Sequence, residues 1–277
     1  MKFVGVTAWL TLSLGFGALL AACHSQQGAP SAPVAPQSGA TVVGAAAAPG
    51  PIRRVVLVTI DGLKPENYLR PEEHGLSIPT LRWVSQQGAV SDGVRSVFPT
   101  LTYPSHTSIA TGTNPSRHHI FLNRSFDPLE TDLDGWRWYA EDIASLTLWQ
   151  LAEAHGLPTA IVYWPVTVGA QVHWLVPEFW RASNVQDQKL QRVVSTPGLL
   201  DAVAREHPDF WARFVPPAIG DDAITDISIH VLSTGKPRLL MTHLVEVDSA
   251  QHRYGVDSPE AHAAIEKDDA QIARLMR

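Results

Sequence analysis

The sequence predicts an α/β domain on a mostly parallel sheet with helices on both faces. Three observations carry that expectation. Two runs are almost unbroken apolar, Val55-Val56-Leu57-Val58-Thr59-Ile60 and Leu239-Leu240-Met241-Thr242-His243-Leu244-Val245-Glu246-Val247, as expected of strands buried on both faces of a parallel sheet. Helical and strand patterns alternate between them. Each run leads directly into a carboxylate, Asp61 or Asp248, at the strand ends where open α/β sheets keep their chemistry.

The elements follow in order. After Asp61-Gly62, residues 78–87 read as a helix closed by Gly88. The segment Phe98-Pro99-Thr100-Leu101-Thr102-Tyr103-Pro104-Ser105-His106 then enters a helix that runs through Ile109 and stops at Gly112. Pro104 suits a first helical position, which puts Thr102 or Tyr103 at or just before the N-cap. Residues 145–155 read as a helix closed by Gly156, with Trp149 on an apolar face beside Leu146, Leu148 and Leu151. Residues 159–163 read as a strand and 221–234 as a helix closed by Gly235. Residues 258–277 read as a helix with Ser258 as N-cap and Pro259 first. The stretches 123–138 and 173–180, rich in aromatic and turn residues, read as long loops or a cap.

Several residues point to chemistry. A helix N-terminus offers unpaired N–H groups and partial positive charge, which favour an alkoxide and a bound phosphate. Threonine alone is a poor nucleophile, and a metal ion would activate it. Asp248 and His252 lie four residues apart, so on a helical turn they share one face and suit one metal. Among the 12 histidines, His106 reads either as a satisfied structural residue or as a support for the nucleophile helix. His118 and His119 read as a solvated or capping pair, and His243 as a buried, hydrogen-bonded core residue. His155, His207 and His262 read as surface or capping positions. Trp164, in Tyr163-Trp164-Pro165 straight off a strand end, reads either as pocket lining or as core.

The combined pattern resembles the nucleotide pyrophosphatase/phosphodiesterase family of the alkaline phosphatase superfamily. The residues that carry it are Val58 to Gly62, Phe98 to His106 with Ile109-Ala110-Thr111-Gly112, Pro115, His118-His119-Ile120, and Asp248 to Gly255. The resemblance implies an alkaline-phosphatase-like fold, two zinc ions bridged by the reacting phosphate, and Thr102 as nucleophile with Thr100 in support. It implies Asp61 as a ligand of the zinc that holds Thr102, and Asp248 and His252 as ligands of the other. By the same resemblance Asn123 donates to a phosphate oxygen, Tyr103 stacks on a nucleotide base, and Trp164 with Tyr163 lies near that pocket. The family completes one zinc site with an Asp-His pair in a Ser-Asp-His-Gly segment and the other with a later single histidine. Neither has a counterpart here, so the resemblance implies a fragment of a longer chain. Ser105 stands where many relatives have asparagine.

The N-terminus carries a second signal. Lys2, an apolar run to Leu20 and small residues before Cys23 describe a secretory signal. Leu20-Ala21-Ala22-Cys23 resembles the lipobox of bacterial lipoproteins, which implies lipidation of Cys23, membrane attachment and a bacterial-envelope location. Cys23 is the only cysteine, so no intrachain disulfide forms. The stretch 24–51 is uncharged and rich in Gln, Gly, Ala, Pro and Ser, a flexible tether. The expected organisation is therefore a signal over 1–22, lipidated Cys23 and linker to 51, and a catalytic domain over 52–277. A formal net charge of −6 without a basic block argues against nucleic acid as a bulk partner.

The expected function is metal-dependent hydrolysis of phosphodiester or pyrophosphate bonds, with small nucleotides as substrate, through a phosphothreonine intermediate. The competing enzyme readings are a phosphonate hydrolase, a phosphomonoesterase and a phospholipid head-group hydrolase. A non-catalytic lipoprotein that keeps the fold without a full metal centre is the reading from another class.

Overall fold

The computed structural model describes residues 54–129, 131, 135–179, 184–215 and 218–277. The segments expected to be a signal, a lipidated Cys23 and a linker lie outside the described residues. Along the chain run β1 (Val55–Ile60), α1 (Pro65–Leu69), α2 (Pro79–Gln87), α3 (Thr102–Thr111), α4 (Pro115–His118) and α5 (Leu148–Ala154). Then come β2 (Thr159–Val162), β3 (Trp174–Val176), α6 (Val185–Val194), α7 (Leu199–Glu206) and α8 (Phe210–Arg213). A two-stranded pair, β4 (Phe214–Val215) with β5 (Ala218–Ile219), leads into α9 (Asp221–His230), β6 (Leu239–Leu244), α10 (Glu246–Tyr254) and α11 (Pro259–Leu275).

The main sheet has the order β1-β6-β2-β3, and every pairing in it is parallel. Strand side chains alternate between faces, and the two faces bury different helices. Leu240 and Leu244 of β6, with Ala160 and Val162 of β2, pack with α7, α8 and α9. Leu239 and Met241 of β6, with Ile161 of β2, pack with Ala110 of α3 and Trp149 and Ala152 of α5. The expected layering, helices on both faces of a parallel sheet, is the one observed.

Some elements depart from expectation. Trp174 to Val176, expected in a loop, forms the fourth strand, because its backbone pairs with β2. β1 is the edge of the described sheet, so Val55 and Val56 stay exposed despite their apolar run. α5 starts at Leu148 rather than 145, where Thr147 and Gln150 form a capping box. Trp149 is buried, whereas Leu146, Leu148 and Leu151 are exposed.

The strand expected over 239–247 stops at Leu244, and α10 begins at Glu246. The cause is remote in sequence. Asp221 at the start of α9 accepts the N–H groups of Val245 at 2.8 Å and Glu246 at 2.7 Å. Glu246 returns the contact by accepting the Asp221 N–H at 3.0 Å, and Lys267 of α11 donates to the same Glu246 oxygen at 2.7 Å. Two helix N-termini thus cap each other, which satisfies orphan N–H groups and fixes where α10 leaves the sheet. Burial, outweighing the N–H groups that favour the anion, pushes the Asp221 carboxyl up to about 6.

Candidate active site

β1 delivers Asp61 to the carboxyl end of the sheet, and Gly62 then brings the chain against α10. Gly62 has φ +75°, and a Cβ on it would lie 3.2 Å from the Asp248 Cα. Only glycine fits that approach. Its carbonyl accepts from Gln251 Nε2 at 3.0 Å, which ties the end of β1 to α10. α10 carries Asp248 and His252 one turn apart, with His252 Nε2 3.4 Å from Asp248 Oδ1.

α3 begins at Thr102 itself, with Leu101 as N-cap. Pro104 is therefore the third helical residue rather than the first, still inside the turn whose N–H groups lack intrahelical partners. Thr102 Oγ1 donates to Asp61 Oδ2 at 3.1 Å. Asn123 arrives from the loop after α4, and its Oδ1 accepts the Tyr103 N–H at 2.9 Å. That contact satisfies an orphan donor of α3 and fixes the amide orientation, leaving Nδ2 as a donor. Asp61, Thr102, Asn123, Asp248 and His252 together line a cavity of about 740 Å³ and a smaller one of about 270 Å³ adjoining it. Thr100 donates to the Val97 carbonyl at 3.0 Å on the same rim, and Ser105 Oγ lies 2.9 Å from Ser96 Oγ.

Beneath these groups lie two buried histidines in opposite states. His106 Nδ1 is 2.8 Å from the Thr102 carbonyl and Nε2 2.9 Å from Thr59 Oγ1. A carbonyl only accepts, so Nδ1 carries the proton, and Nε2 accepts from the threonine hydroxyl. Burial, with the charge on His243, holds His106 neutral by lowering it to about 3. His243 Nδ1 is 3.0 Å from Glu178 Oε2, and its Nε2 is 3.5 Å from Asp61 Oδ2. Burial alone would lower His243, but the two carboxylates outweigh it and raise the ring to about 10. Burial would raise Asp61 in turn, yet His243 and the Thr102 hydroxyl bring it down to about 2. Burial and the Asp61 charge push Asp248 up. His243 is the buried, hydrogen-bonded residue expected of it. Its contact with Asp61 follows from the register Thr59↔His243 between β1 and β6, which no local pattern reveals.

The profile of the type I phosphodiesterase / nucleotide pyrophosphatase family matches residues 55–277. The chain belongs to that family. Human ectonucleotide pyrophosphatase/phosphodiesterase family member 1 is 24% identical over 229 residues, covering 80% of this chain and 21% of that protein. A pyrophosphatase/phosphodiesterase of Schizosaccharomyces pombe is 23% identical over 232 residues, covering 80% of this chain and 40% of that one. Among solved structures, murine ectonucleotide pyrophosphatase/phosphodiesterase 5 superposes with a TM-score of 0.53 at 20% identity, over 80% of this chain and 51% of that one. Phosphonoacetate hydrolase from Sinorhizobium meliloti gives 0.59 at 22%, over 82% and 54%. The fold is alkaline-phosphatase-like, shared with those two solved structures. This family member thus spans about a fifth to two fifths of those curated relatives and about half of those solved chains.

The donor set in the cavity suits the divalent metals that the family resemblance implies. Two carboxylates, an imidazole and a hydroxyl are the oxygen and nitrogen donors that zinc accepts. The burial and the Asp61 charge that push Asp248 up are what bound cations would offset.

The expected base pocket needs correction. Tyr163 and Trp164 are fully buried and line neither cavity. Tyr163 packs with Phe214 in the core on the α9 side, and Trp164 belongs to the Trp149 cluster with its ring 5.0 Å from His106. Tyr103 reaches the smaller cavity, but its ring is fully buried and tilted against Trp136 at 5.2 Å. The partly exposed aromatic on that wall is Trp136, with the Arg124 guanidinium 4.9 Å from its ring. Sequence reading passed over Trp136 as one of several aromatics in a loop. His118 is also corrected: it is buried, with Nε2 2.9 Å from Ser108 Oγ and Nδ1 accepting the Ile120 N–H at 3.1 Å. His119 caps α4 at φ +66° and is exposed.

Proposed function

We propose that this protein hydrolyses phosphodiester or pyrophosphate bonds of small nucleotides through a phosphothreonine intermediate. The observation that carries the reading is the Thr102 hydroxyl, 3.1 Å from Asp61 at the first residue of α3, on one cavity with Asp248, His252 and Asn123. Thr102 Oγ1 attacks phosphorus in line, the leaving alcohol or phosphate departs, and water then cleaves the phosphothreonine. Asp61, kept anionic by His243, orients the Thr102 O–H. Asn123 Nδ2 and the α3 N-terminus donate to the non-bridging oxygens as charge develops there. Two zinc-class ions, one held by Asp61 with Thr102 and one by Asp248 with His252, would supply Lewis-acid stabilisation and bring hydroxyl and water ionisation toward neutral pH. Trp136, at the cavity wall, would carry the base-stacking role that the family resemblance implies for Tyr103.

The reading is tested with protein purified from its native source. A nitrophenyl nucleotide diester, a choline phosphodiester, a phosphonate and a monoester are compared in one preparation. The nucleotide diester should have the highest kcat/KM, and a chelator should abolish its turnover. Preference for the monoester or phosphonate would replace the substrate class, and turnover indifferent to chelator would remove the metal reading.

The envelope location belongs to the same proposal and rests on residues 1–23. Cys23→Ser should move the protein from the membrane fraction to the soluble fraction of the cell envelope. Unchanged membrane retention would count against the lipid anchor.

A further inference from the structure

We propose that His74, Asp257 and His262 form a binding site for one divalent ion of the zinc class, distinct from the cavity at Thr102. Among the described residues these three bring ligand atoms within 4.8 Å of one another. Each comes from a different element. His74 closes the short 3₁₀ turn Pro71–His74, Asp257 lies in the turn after α10, and His262 sits one turn into α11. The two imidazoles meet edge to face, with centroids 6.4 Å apart and planes at 81°.

A second observation points to a ligand. His262 Nε2 is buried from solvent and has no hydrogen-bond partner among the described residues. Buried ring nitrogens normally have a partner, and of the two nitrogens of an imidazole the one without the proton carries a lone pair suited to a metal.

The donor set fits the ion class. Two imidazoles and one carboxylate form a set that zinc accepts, with a fourth position left for water. Atoms about 2.0–2.1 Å from a tetrahedral ion stand roughly 3.3 Å apart, so the three need draw in by at most about 1.5 Å. Asp257 is exposed, so its carboxylate has room to make that move. The competing cation is Lys64, which donates to Asp257 Oδ1 at 2.9 Å. That contact leaves Oδ2, and Glu66 stands 3.6 Å from the same ammonium, ready to take it when the ion enters. Loading the site would tie the turn after α1 to the start of α11, whose preceding helix carries Asp248 and His252.

The test is a zinc titration against a competing chelator, on the purified chain and on His74→Ala/His262→Ala. The unsubstituted chain should take up one more zinc than the variant, and equal uptake would overturn the proposal. A second measurement does not depend on the variant folding. In the unsubstituted chain, the imidazole resonances of His74 and His262 should shift together, with one midpoint, as zinc is added. Resonances that stay in place would overturn it equally. Neither readout involves turnover, so failure of the proposed activity leaves this test intact.

Discussion

Thr102→Ala is expected to lower turnover of a nucleotide diester by about a thousandfold or more, while the protein folds and keeps most of its zinc. The size follows from the role proposed for Oγ1. The rim hydroxyls of Thr100 and Ser105 are engaged with the Val97 carbonyl and with Ser96, and losses on removing a nucleophile are of this order or larger. The fold should survive because alanine is a better helix former than threonine, and among the described residues the hydroxyl bonds to Asp61 alone. Asp61, Asp248 and His252 remain as the proposed ligands. Thr102→Ser is the control, since it keeps a hydroxyl at the first position of α3 and should retain measurable turnover. Near-normal hydrolysis by the alanine variant, with zinc measured in the same sample, would sink the nucleophile assignment. Loss by alanine and serine alike would point instead to a packing role for the threonine methyl group.

The parts of this site that were legible in the sequence sit at chain landmarks. Asp61 follows an apolar strand directly, Asp248 and His252 share a helical turn, and Thr102 precedes a proline near a helix start. Those are local patterns with local causes. What stayed hidden depends on tertiary pairing. Glu178 is separated from His243 by 65 residues, and only the order β1-β6-β2-β3 makes them neighbours. Asp221 ends the strand at Leu244 from 24 residues away, so the apolar run 239–247 looked longer than the strand is. Tyr163 and Trp164 come off a strand end on the expected side. Tyr163, however, takes φ +59°, a left-handed conformation that turns the chain at the end of β2 and defeats a reading based on strand alternation. Aromatic identity said nothing about which ring stays exposed, hence Trp136 in place of Tyr103.

Glu178→Gln isolates the charge beneath the site. The amide keeps the size of the side chain and can still accept from His243 Nδ1 through its carbonyl oxygen, so the main loss is the negative charge. His243 is then left as a buried cation with Asp61 as its remaining carboxylate, and losing one partner of a buried ion pair costs about 3–5 kcal/mol. The pH dependence has a definite sign. A histidine raised from 6.5 to about 10 contributes stability that is fully present below pH 6.5 and is lost as pH rises through 10. Without the Glu178 carboxylate the folded value falls, so the variant should lose that contribution nearer neutral pH. Urea unfolding of chelator-treated protein between pH 6 and 10 reads both effects, since the metal cannot then take over the Asp61 charge. The unsubstituted chain should hold its stability to higher pH than the variant, and the gap should be widest at the acid end of that range and close as pH rises toward 10. Two parallel profiles separated by less than about 1 kcal/mol would mean that His243 is neutral, held by ordinary hydrogen bonds. In that case Asp61 would owe its low value to Thr102 and to any bound cation, and the Glu178–His243 pair would be a packing feature of β6 rather than a support of the nucleophile's partner.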